Sequence, residues 1–192
     1  MNAVLPKPST PSLAKTAYHG PLNWRSIVEW LHEDGVISAD ESQRVFARMS
    51  QAESSQNALV RLASVSMTRV SDGKPLDIER LCEWLAARAG IDYLRIDPLK
   101  VDVGKVADTM SAPYAERHKV LPVQITPAEV VVATSEPFIA DWVPEVERQA
   151  KRRVRRVMSN PLEIHRFTVE FFALAKSVRA AQKAGSFDAD KV

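Results

Sequence analysis

Two β-branched runs, Val120–Ile125 and Glu129–Thr134, are separated only by Thr126-Pro127-Ala128. Runs of this kind joined by three turn-forming residues predict a hairpin. The segments on both sides carry helical spacing instead. A chain that sets a lone hairpin among helices cannot be all-α or all-β, and its helices must cover a small sheet.

The pattern before Gly90 is helical. Asn23 is placed to cap a helix from Trp24 to about Asp34, with Trp24, Ile27, Val28 and Leu31 on one face. Gly35 ends it. Ser38 opens a second helix with Glu41 three residues on, the capping-box arrangement, and Val45, Phe46 and Met49 share a side. Residues 50–57 are small and polar, a linker, and Ala58–Ala63 is a short helix. Thr68–Pro75 reads as a loop. Residues 76–89 form a helix with Leu81, Cys82 and Leu85 inward and Gly90 closing it.

After Gly90 the spacing changes. Tyr93–Ile96 is a short strand ahead of Asp97-Pro98. Residues 102–118 are helical with a break near Pro113, and the hairpin follows. Residues 144–152 are helical, Val154–Met158 is one more strand, and Asn160-Pro161 starts a long helix to about Ala184. The expectation is an α+β fold: an N-terminal helical hairpin subdomain followed by a small three- to four-stranded sheet covered by helices. Its divisions are a flexible, proline-rich segment at 1–21, a helical subdomain at 22–66, an α/β domain at 76–184, and a disordered tail or linker at 185–192.

Composition narrows the function. Twenty-six basic and 24 acidic residues leave a formal charge of +2, no electrostatic case for nucleic acid or an anionic membrane as main partner. The single cysteine, Cys82, has no internal partner, which fits a reducing compartment, and its place on an apolar helix face makes it a core residue. The first twenty residues lack a continuous apolar stretch, so they are not a signal peptide, and no run is long enough to span a bilayer. The chain reads as cytoplasmic.

Catalytic motifs are missing. A phosphate-binding loop needs glycines flanking four residues, then Lys and Ser or Thr. Gly104-Lys105 has Leu99 at the leading position, Gly73-Lys74 has Thr68, and neither is followed by a hydroxyl residue. The histidines, at 19, 32, 118 and 165, are too scattered to ligate a metal together. Asp40-Glu41 and Glu145-Val146-Glu147 lie near helix starts, where they complement the dipole. The run RQAKRRVRR at 148–156 holds six basic groups; it reads as a helix C-terminus running into an edge strand that its cations protect, with an acidic protein partner kept open. In the last helix Ile164, Phe167, Phe171, Leu174 and Val178 line one face, and Leu162, Val169 and Phe172 form a second stripe that also needs cover.

From Leu76 to Ala181 the chain resembles the N-terminal domain of the GspE/PulE/PilB-type ATPases of type II secretion and type IV pilus assembly. The residues that carry this are LCEWLAARAGIDYLRIDP at 81–98, Pro113-Tyr114 leading to His118-Lys119-Val120-Leu121-Pro122-Val123, VVVATSEPF at 130–138, and Ser159-Asn160-Pro161-Leu162-Glu163-Ile164. The resemblance implies a non-catalytic docking or regulatory domain for protein transport. It would bind the cytoplasmic part of an inner-membrane platform protein, stay peripheral to that membrane through its partners, and adjoin an ATPase core that alone uses ATP. No catalytic, cofactor or metal residue is expected in this chain. Some relatives bind cyclic di-GMP through Arg-Leu-Gly, a Gly-Leu-Ile-like step and a later Gln. Here Leu31 and Gly35-Val36-Ile37 keep the frame, but Ser26-Ile27-Val28 replaces Arg-Leu-Gly and Met49 stands at the Gln position. This argues against nucleotide binding, which stays as the alternative. The partner-binding residues expected on the helical hairpin are Arg25, Trp30, Arg44 and Arg48.

Overall fold

In the helical part each helix start carries its own side-chain acceptor. The computed structural model describes residues 18–189, with no account of the side chains from 187 on. Asn23 Oδ1 accepts the Arg25 N–H at 2.9 Å and opens α1 (Trp24–Glu33). Ser38 Oγ accepts the Glu41 N–H at 3.1 Å and opens α2 (Ala39–Met49). The reciprocal half of the capping box is diverted: the Glu41 carboxylate accepts the Thr68 N–H at 3.2 Å and pairs with Arg44 at 2.6 Å. It thereby ties α2 to the chain beyond α3 (Ala58–Ser64). Asp77 caps α4 (Ile78–Ala89), and Gly90, at φ +73°, closes it in the left-handed conformation that glycine adopts freely.

The second half holds β1 (Asp92–Tyr93), a 3-10 turn (Pro98–Lys100), α5 (Val103–Thr109), α6 (Ala112–His118), β2 (Val120–Ile125), β3 (Glu129–Thr134), α7 (Val143–Ala150), β4 (Arg153–Met158) and α8 (Pro161–Ala189). The sheet order is β1-β4-β3-β2. β2 and β3 are the expected antiparallel hairpin, while β4 is parallel to both β3 and β1. One face buries Leu121, Val131, Ala133 and Val157 under Val106 of α5 and Ile164, Phe167 and Phe171 of α8. The other buries Val130 and Val132 under Met110, Ala115 of α6, Trp142 and Val146 of α7. The fold is α+β, with a four-stranded mixed sheet.

Several expectations change. The expected 93–96 strand is two residues long, Asp92–Tyr93, and contact with β4 ends where the Leu94 N–H donates to Met158 O at 2.8 Å. Residues 102–118 are two helices; Ser111 caps α6, and Pro113 sits in its first turn, where a missing N–H costs nothing. β4 is an edge over Arg153–Arg156, as expected, but not at its end, where β1 adds beside Val157 and Met158. The boundary between 66 and 76 does not separate cores: Leu81, Cys82, Leu85 and Ala86 of α4 pack with α1–α3, and Met158 of β4 joins them. α8 runs to Ala189, past the expected end at 184, so residues 185–189 are helix rather than disordered tail. The alanine-rich sequence there tolerates Gly185, whose cost is about 1 kcal/mol. Residues 190–192 lie outside the described residues. So does 1–17 of the expected flexible segment; the rest of it, 18–21, is packed, as described next.

Candidate functional site

The residues before α1 form a strap across the loop that follows β3. The Gly20 N–H donates to Phe138 O at 3.3 Å, and the Leu22 N–H donates to Glu136 Oε2 at 2.9 Å. The Tyr18 ring meets Trp30 and Phe138 edge-on, at centroid distances of 5.1 and 5.3 Å. Trp30 meets Phe138 at 5.4 Å, and the Arg88 guanidinium lies 5.0 Å above the Trp30 ring. Arg88 also pairs with Glu33 at 3.0 Å and Asp34 at 2.6 Å. Trp30 is therefore a joint between helical and α/β parts, half-buried and already in contact on several sides.

The other hairpin residues divide. Arg44 is exposed but committed: it holds Glu41 and donates to Val65 O at 3.3 Å. Arg25 is exposed, with its guanidinium 4.5 Å above the Trp24 ring. Arg48 is exposed near the end of α2. Arg25 also lines an open cavity of about 590 Å³ with Trp24, Met49 and Arg61. Arg61 is anchored there to Ala52 O at 2.8 Å. Periodicity marked Arg25 and Arg48 as outward-facing; it could not reveal that Trp30 and Arg44 have intramolecular partners.

Glu136 escaped the sequence reading. It is only 8% exposed, and burial pushes its carboxyl above the usual range, with the Leu22 N–H and Lys119 working the other way. Nothing local signals this, because its partner is 114 positions away. Cys82 is buried and burial pushes its thiol up to about 12, the opposite of an activated nucleophile. Among the described residues no group of three or more His, Cys, Asp or Glu could hold a metal ion. The Glu145 carboxylate accepts the Tyr114 hydroxyl at 3.2 Å, and Glu147 accepts the Val154 N–H at 3.3 Å. Both are structural acceptors. No described helix is long and apolar enough to cross a membrane.

The second stripe of α8 stays uncovered in part: Leu162 and Val169 are about half exposed, while Phe172 is half-buried. On the first, Ile164, Phe167 and Phe171 are buried as expected, but Leu174 and Val178 are exposed and Ala175 takes over the inward side.

The chain is a helical subdomain joined to a four-stranded mixed sheet. Its fold is that of MshE, whose solved structure with cdg overlays with a TM-score of 0.53 at 14% identity, covering 76% of this chain and 97% of that one. A structure of the N-terminal domain of XpsE gives a TM-score of 0.45 at 16% identity, over 78% and 96% of the two chains. Residues 89–178 match the MshEN domain. The type IV pilus assembly ATPase TfpB of Acinetobacter baylyi is 29% identical over 178 residues. That match covers 90% of this chain and 30% of TfpB, so the chain spans less than a third of its relative's length.

Proposed function

We propose that this chain is a non-catalytic docking domain of a pilus-assembly or secretion ATPase. It binds the cytoplasmic part of an inner-membrane platform protein, stays peripheral to that membrane through this contact, and adjoins the ATPase core that uses ATP. The observation that supports this most is the extent of the match to TfpB: nearly the whole chain aligns, against a minor share of the motor protein. Arg25 and Arg48 are the hairpin cations left for a partner once Arg44 is committed to Glu41 and Val65. Pull-down with the cytoplasmic part of the cognate platform protein tests this. The Arg25→Ala, Arg48→Ala pair should weaken capture several-fold, as uncommitted interface charges do. Unchanged capture would remove the hairpin from the docking surface, and no capture by the parent chain would end the reading.

A second reading, a cyclic di-GMP-binding regulatory domain, is favoured by one observation. The cavity beside Arg25 and Arg61 lies at the hairpin end where the nucleotide motif begins and ends. Against it, Ser26 holds the motif arginine's place, and Met49 is buried in the helical core. Calorimetric titration with cyclic di-GMP decides between them. We expect no saturable heat; saturable heat abolished by Arg61→Ala would establish the second reading.

A further inference from the structure

The open flank of β4 is unlike the other sheet borders. β1 pairs only with Val157 and Met158, so Arg153–Arg156 have β3 on one side and no strand on the other. The Arg153 and Ser159 amides donate toward the β3 side, to Ala128 O and Thr134 O. Alternation along a strand then turns the amide of Arg156 and the carbonyl of Val154 to the open flank. The Val154 N–H on that flank is held by Glu147.

A groove of about 240 Å³ runs beside this flank. Ile96, Val101, Val123, Val131 and Val157 give it an apolar lining, and Arg155 is one wall. The 3-10 turn beside it carries Leu99, which is 94% exposed. The acidic groups here are already engaged: Asp97 pairs with Lys100 and Glu147 holds the Val154 N–H. Arg155 is engaged by Asp92 at 3.5 Å and Glu129 at 3.3 Å. Arg148, Lys151, Arg152 and Arg153 are adjacent, and among the described residues none has a carboxylate within 4.0 Å. In a chain whose formal charge is only +2, four unpaired cations within six positions are a local concentration.

We propose that this flank is a docking surface for an extended, acidic segment of a partner protein, separate from the helical hairpin. The segment adds alongside Arg153–Arg156, donates a main-chain N–H to the Val154 carbonyl, accepts the Arg156 N–H, sets carboxylates against Lys151 and Arg153, and places an apolar side chain in the groove. The same cations keep two copies of this chain from pairing edge to edge, since like charges would face each other. A flat anionic lipid layer could use the cations. It could not use the strand edge or the concave groove, so the peptide accounts for more of the surface.

Fluorescence polarisation with a synthetic decapeptide alternating glutamate and valine tests this on the full chain. Its lysine–valine counterpart and phosphatidylglycerol vesicles serve as rival probes. The acidic peptide should bind and slow hydrogen exchange at the Arg156 amide, and the lysine peptide should not bind. The Lys151→Glu, Arg153→Glu pair should weaken the acidic peptide by about tenfold or more, while Arg25→Glu on the hairpin leaves it unchanged. That control separates this surface from the platform contact. If the pair fails to fold, as judged by circular dichroism, Arg148→Glu on the exposed side of α7 replaces it, with a smaller loss expected. Equal binding of both peptides, full binding by the folded variants, or vesicle binding with the Arg156 amide unprotected would each overturn the proposal.

Discussion

Glu136 meets its nearest charge, Lys119 Nζ, only at 4.0 Å, and its firm hydrogen bond is to the Leu22 N–H. Its carboxyl is raised by burial, so the folded state holds the proton more tightly than the unfolded chain. The stabilising contribution is complete below the ordinary glutamate range and is lost as pH rises through the raised value. Glu136→Gln keeps an oxygen for Leu22 but has no charge to desolvate. Urea unfolding from pH 4 to pH 8 should show wild-type stability falling through that window and a flatter profile in the variant. A variant with the same slope would assign the pH dependence elsewhere. Cys82 gives the opposite test. With its thiol pushed up to about 12 and no exposure, iodoacetamide at pH 8 should label it only at the rate of unfolding. Cys82 was legible because its helix face is apolar, whereas Glu136 was not, because a strap from the far end of the sequence buries it.

Helix starts were the most legible elements, since a cap and its first turn are local chemistry. Asn23, Ser38 and Asn160 each accept a backbone N–H from their own helix. The hairpin was legible for the same reason: β2 and β3 need only a short turn between them. β1 was not, because its length is set by how far the chain after Gly90 stays beside β4, and the inner place of the end of β4 follows from that contact. The joint of Tyr18, Trp30 and Phe138 was equally invisible, although its aromatic residues were in plain view. Trp30→Ala removes two edge-on ring contacts and the seat of Arg88. It should cost about 2 kcal/mol by thermal or urea unfolding. Trp30→Phe should restore part of that loss. If Trp30→Ala lowers platform binding without lowering stability, Trp30 belongs to the docking surface after all.

The helical and α/β parts share α4, and this decides how the molecule unfolds. α4 leads directly into β1 and the MshEN-type region, yet it contributes Leu81, Cys82, Leu85 and Ala86 to the core of α1–α3. Met158 of β4 is buried in that same core, and the strap fastens the other side through Phe138 and Glu136. Two small cores linked in this way should melt together. Circular dichroism and tryptophan fluorescence should therefore give coincident urea transitions, since Trp24 reports the helical core and Trp142 the sheet. A fragment cut to begin at Leu76, where sequence composition alone would divide the chain, keeps the sheet but strips the cover from α4. Uncovering two leucines, at about 1.5–3 kcal/mol each, removes a large part of the roughly 5–15 kcal/mol available to a domain. Such a fragment should bind a hydrophobic dye and lose most of its cooperative transition, while residues 18–189 stay intact. A fragment from Leu76 with an unchanged midpoint would make the helical subdomain an independent appendage, free to move against the sheet.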